Sequence, residues 1–121
     1  MAEFYGNIEK MTTTNTKYRK VLGTTTGLQL VVMRLKPFEE IGTEVHPTTT
    51  QFIRIESGKA RCIIGENQYI LDNDDAIIIP PNKQHNVINI SETDDLMLYT
   101  IYSEPVHNEE CVQEKKEDAE C

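Results

Sequence analysis

The sequence predicts an all-β domain, a sandwich or barrel of short strands. Eight short runs rich in apolar residues follow one another in quick succession. Turn residues separate them, and side chains within them alternate in character, as on a strand with one face buried. With 121 residues the chain makes a single domain, long enough to bury most of its apolar surface without staples. No internal repeat is visible, so a second barrel is not expected.

The elements follow in order. Ile8, Met11, Tyr18 and Val21 have loose helical spacing, interrupted by Thr12, Thr13 and Thr14. Threonine runs disfavour helix, so residues 1–25 are expected to form a short helical turn and an arm packing on the barrel. Strands are expected over 28–35, 44–46, 51–56, 60–64, 68–71, 76–80, 86–90 and 96–103. Lys36-Pro37, Ser57-Gly58-Lys59, Gly65-Glu66-Asn67, Asp72 to Asp75, Pro80 to Asn82 and Glu92 to Asp95 supply the turns. Barrel residues thus run from 26 to 104, and the polar residues 105–121 read as a solvated tail or a short exposed helix.

Alternation assigns faces. If Gln51 points inward, so do Ile53 and Ile55, leaving Phe52, Arg54 and Glu56 outside, where Arg54 and Glu56 can pair. If His85 points inward, Val87 and Asn89 follow. Val31, Met33 and Leu35 form the inner set of the first strand, and Leu30, Val32 and Arg34 the outer. An outer face carrying Leu30, Val32 and Phe52 is too apolar for open water and needs a cover. A second subunit, giving a homodimer, or the N-terminal arm would supply it.

The chemistry concentrates in two short stretches. Glu44 and His46 stand two residues apart, so on a strand they project to one face. Gln51 and His85 could reach that face from neighbouring strands. Two imidazoles, a carboxylate and an amide oxygen converging inside a small barrel make a divalent-metal site. Met33, Ile53 and Tyr99 are candidates for lining its pocket, although methionine more often fills core. Tyr99 and Tyr102 cannot both face inward.

These stretches resemble the two motifs of the cupin superfamily, specifically its small single-domain members. The second motif runs from Asp74 through Pro80, Asn82 and His85 to Asn89 with its spacing intact, and Asp74 and Asn82 stand where the pattern has glycine. In the first, Glu44 occupies the first histidine position, His46 matches the second, and Gln51 replaces the glutamate before Gly58. The resemblance covers most of the chain. It implies a cupin jelly-roll β-barrel with a short N-terminal arm and a polar C-terminal tail. It also implies one divalent transition metal per chain, Fe, Mn, Ni or Zn, held by Glu44, His46, Gln51 and His85. The exchanges conserve charge: one carboxylate is gained at position 44 and one lost at position 51, so a single formal negative charge still faces the cation. A set that mixes Gln with His and Glu is similar to that of phosphomannose isomerase. The bland alternative is that His46 and His85 are interior histidines with hydrogen-bond partners, since sugar-epimerase cupins work without metal.

Composition narrows the rest. A net charge of −8 argues against nucleic acid and anionic membranes as partners. The longest apolar runs, such as Ala76 to Ile79, are too short to cross a bilayer, and the first residues have no secretory pattern. Cys62, Cys111 and Cys121 are odd in number without paired spacing, which fits a reducing, cytoplasmic setting, with Cys111 and Cys121 as incidental exposed thiols. Asn89-Ile90-Ser91 as a glycosylation triplet is set aside, as is Asp72 to Asp75 as a calcium loop. His107 lies in the tail with no motif around it and is left out of the site. No nucleophilic triad, phosphate-cradling loop or paired-cysteine motif is present. The expected function is therefore metal-centred chemistry, of dioxygenase or isomerase type, on a small oxygen-bearing molecule. The alternatives are a non-catalytic module binding a small-molecule ligand and a structural protein.

Overall fold

The computed structural model describes residues 2–119 and is built of antiparallel strands in two sheets. After α1 (Ile8–Thr13) come β1 (Arg19–Thr24), β2 (Gln29–Leu35), β3 (Thr50–Ser57), β4 (Ala60–Ile64) and β5 (Asn67–Leu71). Then follow β6 (Ala76–Ile79), β7 (His85–Asn89), β8 (Leu96–Ser103) and β9 (Val112–Gln113). Six strands form one sheet in the order β6-β3-β8-β2-β1-β9, and three form the other in the order β5-β4-β7. This is the expected all-β jelly roll. Strand limits agree with the sequence reading to within a residue or so, apart from two strands it did not foresee, β1 and β9, and one it predicted at 44–46.

Register arranges the inner face of the large sheet in layers. Gln29 on β2 and Gln51 on β3 both lie opposite Tyr102 on β8. The next layer is Val31, Thr100 and Ile53, and the next Met33, Leu98 and Ile55. All nine are buried. The first layer is polar and the third wholly apolar, so strand direction alone separates a polar end of the barrel from an aliphatic one. Ala60, Cys62, Leu71 and Val87 close the core from the small sheet. Met33, fully buried in the third layer, fills core rather than lining a pocket beside the polar layer.

The predicted faces of β3 hold: Gln51, Ile53 and Ile55 are buried, and Arg54 pairs outside with Glu56 at 3.6 Å. On β2 the outer set needed its cover, and the chain provides part of it. Val32 is only 1% exposed although it points away from the core, because α1 and the residues after it lie over β2, β3 and β8. The six-residue α1 could not persist alone. Asn7 caps it, its Oδ1 accepting from Lys10 N at 2.9 Å, for about 1 kcal/mol. At the other end Thr14 donates to Lys10 O at 2.7 Å, the hydroxyl competition by which threonine ends a helix.

The N-terminal arm is more than an arm, since β1 within it pairs with β2 on one side and β9 on the other. The tail is likewise bound in: Cys111 and Gln113 are buried, and Val21 N donates to Cys111 O at 3.0 Å. Cys111 is disulfide-bonded, not an incidental exposed thiol, and the case for a reducing compartment loses its basis. Cys121 lies outside the described residues. Cys62 is free and buried, and burial pushes its thiol up to about 11, so it behaves as a small core residue. No helix is long and apolar enough to cross a membrane among the described residues.

Two departures from the motif glycines have one cause. Asp74 and Asn82 have φ of 70° and 61°, the left-handed region where glycine is free and where short polar side chains are tolerated best. Gly58 has φ of 114°, and a Cβ there would meet Asp95 O at 3.0 Å. Asn89, which closes the second motif, is fully buried. Its amide nitrogen donates towards the carbonyls of Leu35, Lys36 and Asp94 at 2.9–3.1 Å, and its Oδ1 accepts from Ser91 N at 2.9 Å. It is structural.

Candidate metal site

Glu44 and His46 were expected on a strand. The segment makes instead a single antiparallel bridge to β7, Glu44 opposite His85. Both backbone bonds of that pair form: Glu44 N to His85 O at 2.9 Å and His85 N to Glu44 O at 3.0 Å. Pro47, without an N–H, follows at once and the ladder stops. The one bridge is enough to build the site. Directly opposed residues of an antiparallel pair project to the same face, and so does the residue two positions on. Glu44, His85 and His46 therefore turn inward together, while Val45 between them is exposed. Asn82 N holds His46 O at 2.7 Å and fixes the end of the segment.

The ligand atoms of Glu44, His46 and His85 all lie within 4.8 Å of one another. Glu44 Oε1 is 3.9 Å from His46 Nε2, and the two imidazole centroids are 5.3 Å apart. Bonds of about 2.1 Å to one ion put its donors about 3–4.3 Å apart, so modest closure brings these three into one coordination shell. Gln51 faces the same interior from the polar layer, next to Tyr102, whose ring meets His46 edge-on at 5.7 Å. Its Nε2 donates to Thr100 Oγ1 at 3.0 Å, which leaves Oε1 as the atom without a partner.

The bland reading calls for hydrogen-bonded histidines, and it is met only in part: His85 has one bonded ring nitrogen, while the other atoms of the set stand bare. His46 Nε2, His85 Nε2 and Gln51 Oε1 are all buried without a partner. His85 Nδ1 lies 2.9 Å from Lys83 O and must donate to it, so Nε2 carries the bare lone pair. This is how metal-binding histidines are oriented. His46 is held below its ordinary range, chiefly by burial, with His85 adding to the effect and Glu44 opposing it. The neutral imidazole is the form that donates to a cation. An unsatisfied buried polar atom costs about 1–3 kcal/mol, and several gathered in one place mark a candidate site for an ion, a ligand or ordered water.

Of the proposed lining residues, Ile53 lies in the layer beneath Gln51. Tyr99 does not line the pocket: it is half-buried on the outer face with its ring 6.2 Å from Phe52, and Tyr102, three residues on, takes the inward place. Burial, followed by the charge of Glu44, raises the Tyr102 phenol far above its usual range. His107, left out of the site on sequence grounds, lies beside it. Its ring meets Tyr102 edge-on at 5.3 Å, and its Nε2 is buried without a partner. Burial first, then Arg19 and His46, bring His107 down to about 4. The only hint in the sequence was the apolar Val106, Cys111 and Val112 interrupting an otherwise polar tail.

A family model described as a cupin domain matches residues 31–102. A protein of Acanthamoeba polyphaga mimivirus is 44% identical over 84% of the chain, and YrkC of Bacillus subtilis is 38% identical over 96%. The chain spans 65% of the length of each of these relatives. The crystal structure of BH2720 from Bacillus halodurans is 36% identical and superposes with a TM-score of 0.89, covering 93% of this chain and 89% of that one. With the two-sheet fold and both motif stretches in place, the chain belongs to the cupin family.

Proposed function

We propose that the chain binds one divalent transition metal through Glu44, His46 and His85, with Gln51 as a weaker fourth donor, and acts on a small oxygen-bearing molecule. The observation that carries this reading is the set of buried, partnerless lone pairs on His46, His85 and Gln51 around a carboxylate. Two histidines and a carboxylate are a donor set for Fe, Mn, Ni or Zn. Such an ion supplies Lewis acidity, and with Fe also redox chemistry, to a carbonyl or enolate oxygen. The protein's part is to orient and to exclude water. The Lys83 carbonyl sets the His85 tautomer, Thr100 aims the Gln51 amide, and the Tyr102 ring walls the site.

Protein purified without chelator or affinity metal should carry about one equivalent by elemental analysis. The His46→Ala, His85→Ala double variant should lose it, and Gln51→Ala should weaken it only about tenfold, since a neutral amide oxygen is the poorest donor of the set. Equal metal in wild type and double variant would overturn the reading. Metal bound without turnover across sugar phosphates, keto acids and diketones would leave a binding module.

We also infer a homodimer, through only the Phe52 part of the expected face, because Val32 is covered by the chain itself. The remaining apolar surface is Phe52 against Tyr99, with Ile78 opposite Phe52 on β6 and 64% exposed, and Tyr69 nearby. β6 ends its sheet, so this surface sits beside an open strand edge. Light scattering should give a dimer for wild type and a monomer for Ile78→Asp. A wild-type monomer at micromolar concentration would refute pairing.

A further inference from the structure

His107, a half-buried imidazole whose Nε2 is buried, lies outside the two motifs, and the fold holds it in place by its backbone. Gln29, fully buried in the polar layer, grips the tail there. Its Oε1 accepts from Val106 N at 3.2 Å and His107 N at 3.0 Å, and its Nε2 donates to His107 O at 2.7 Å. Thr48 donates to Glu104 Oε1 at 2.8 Å, tying the loop that carries His46 to the start of the same strap. β9 anchors the strap beyond. A buried glutamine thus uses both ends of its amide on the strap, its Nε2 donating also to Thr24 Oγ1 at 3.1 Å.

His107 presents a buried Nε2 without a partner, on a ring packed against the same Tyr102 that touches His46. Yet it is not part of the Glu44, His46 and His85 cluster, so its nitrogen stands outside the span that donors to a single ion can share. We propose that His107 is a ligand contact rather than a metal ligand. In this reading the polar end of the barrel takes a small molecule with a metal-binding oxygen at one end and a hydroxyl a few atoms away, and the hydroxyl hydrogen-bonds with His107 Nε2 across the Tyr102 ring. Tyr102 forms the floor between the two ends, and the strap closes one side. This rests on the metal reading above and adds to it the class of ligand.

The test uses the metal-loaded protein and defined probes. Co(II) is titrated by absorption into wild type, His107→Ala and His107→Phe, the last keeping a ring on Tyr102 without a nitrogen. Each is then titrated with straight-chain carboxylates ending in a hydroxyl, from propanoate to hexanoate length, and with counterparts in which methyl replaces the hydroxyl. Co(II) affinity should agree within about twofold across the three proteins. In wild type one chain length should show a hydroxyl preference of about three- to tenfold, the worth of one neutral hydrogen bond, and both variants should lose it. Thermal melts of the variants confirm that the strap is intact. A tenfold drop in Co(II) affinity in His107→Phe would place His107 in the coordination shell and overturn the proposal. So would no hydroxyl preference in wild type, or a preference that survives in both variants. Failure of wild type to bind Co(II) at all would remove the metal reading and this proposal together, which sets it apart from the other outcomes.

Discussion

Where β8 begins, the polar groups satisfy one another; where it ends, buried ones are left bare. At the first end a hollow of about 720 Å³ is lined by Arg34, Lys59, Asp72, Asn73, Asp94 and Asp95 among others. It is a wide and strongly charged recess. Both of its cations are paired, however: Arg34 with Asp95 at 2.7 Å and Lys59 with Asp72 at 3.4 Å, while Asn73 caps Gly58 N at 2.8 Å. Asn89 beneath it closes three carbonyls and one amide. At the second end His46, His85, Gln51 and His107 each keep a buried atom without a partner. Polarity and volume do not separate a site from a scaffold here. Satisfaction does.

The contrast predicts opposite responses to deleting a buried polar group. Asn89→Ala should destabilise by about 3 kcal/mol, because several backbone groups lose their partner at once, with metal content unchanged. His46→Phe should lose the metal yet leave the metal-free fold as stable as wild type or about 1 kcal/mol more so, since it removes a buried atom that had no partner. Urea titrations of the two metal-free variants beside wild type measure both. If His46→Phe costs as much as Asn89→Ala, His46 is held by bonds the comparison denies, and the case for a vacant donor set weakens.

How much of this was legible depends on where each fact is encoded. β3, β4 and β8 could be read almost to the residue because each alternates along its own length, and alternation is local. The convergence of Glu44, His46 and His85 was legible because the motif fixes their spacing and one backbone bridge does the rest. β1 was not, since Arg19, Lys20, Gly23 and Thr24 form a strand only because β2 and the tail supply partners on both sides. His107 was invisible for the same reason: Gln29, 78 residues away along the chain, places it. The choice between Tyr99 and Tyr102 is one of phase. Both suit a strand, and only the register of Tyr102 opposite Gln51 and Gln29 sets which one turns inward.

Acid should reach the bare end through the same imidazoles, with a smaller effect than loss of Asn89. The folded value of His107 is about 4, against about 6.5 unfolded. Between those values the unfolded chain takes up a proton that the folded chain refuses, so stability is fully present above about pH 6.5 and falls as the pH drops towards 4. His46, also lowered, acts in the same direction. Allowing for its partial exposure, His107 should contribute roughly 2 kcal/mol to the loss. Metal-free protein should therefore melt at a lower temperature at pH 4.5 than at pH 7. His107→Phe, which cannot take up that proton, should show a shallower fall, with the difference appearing only below about pH 6.5. Parallel pH profiles for the two proteins would mean that His107 titrates alike folded and unfolded, and its nitrogen would then be in water and not buried against Tyr102.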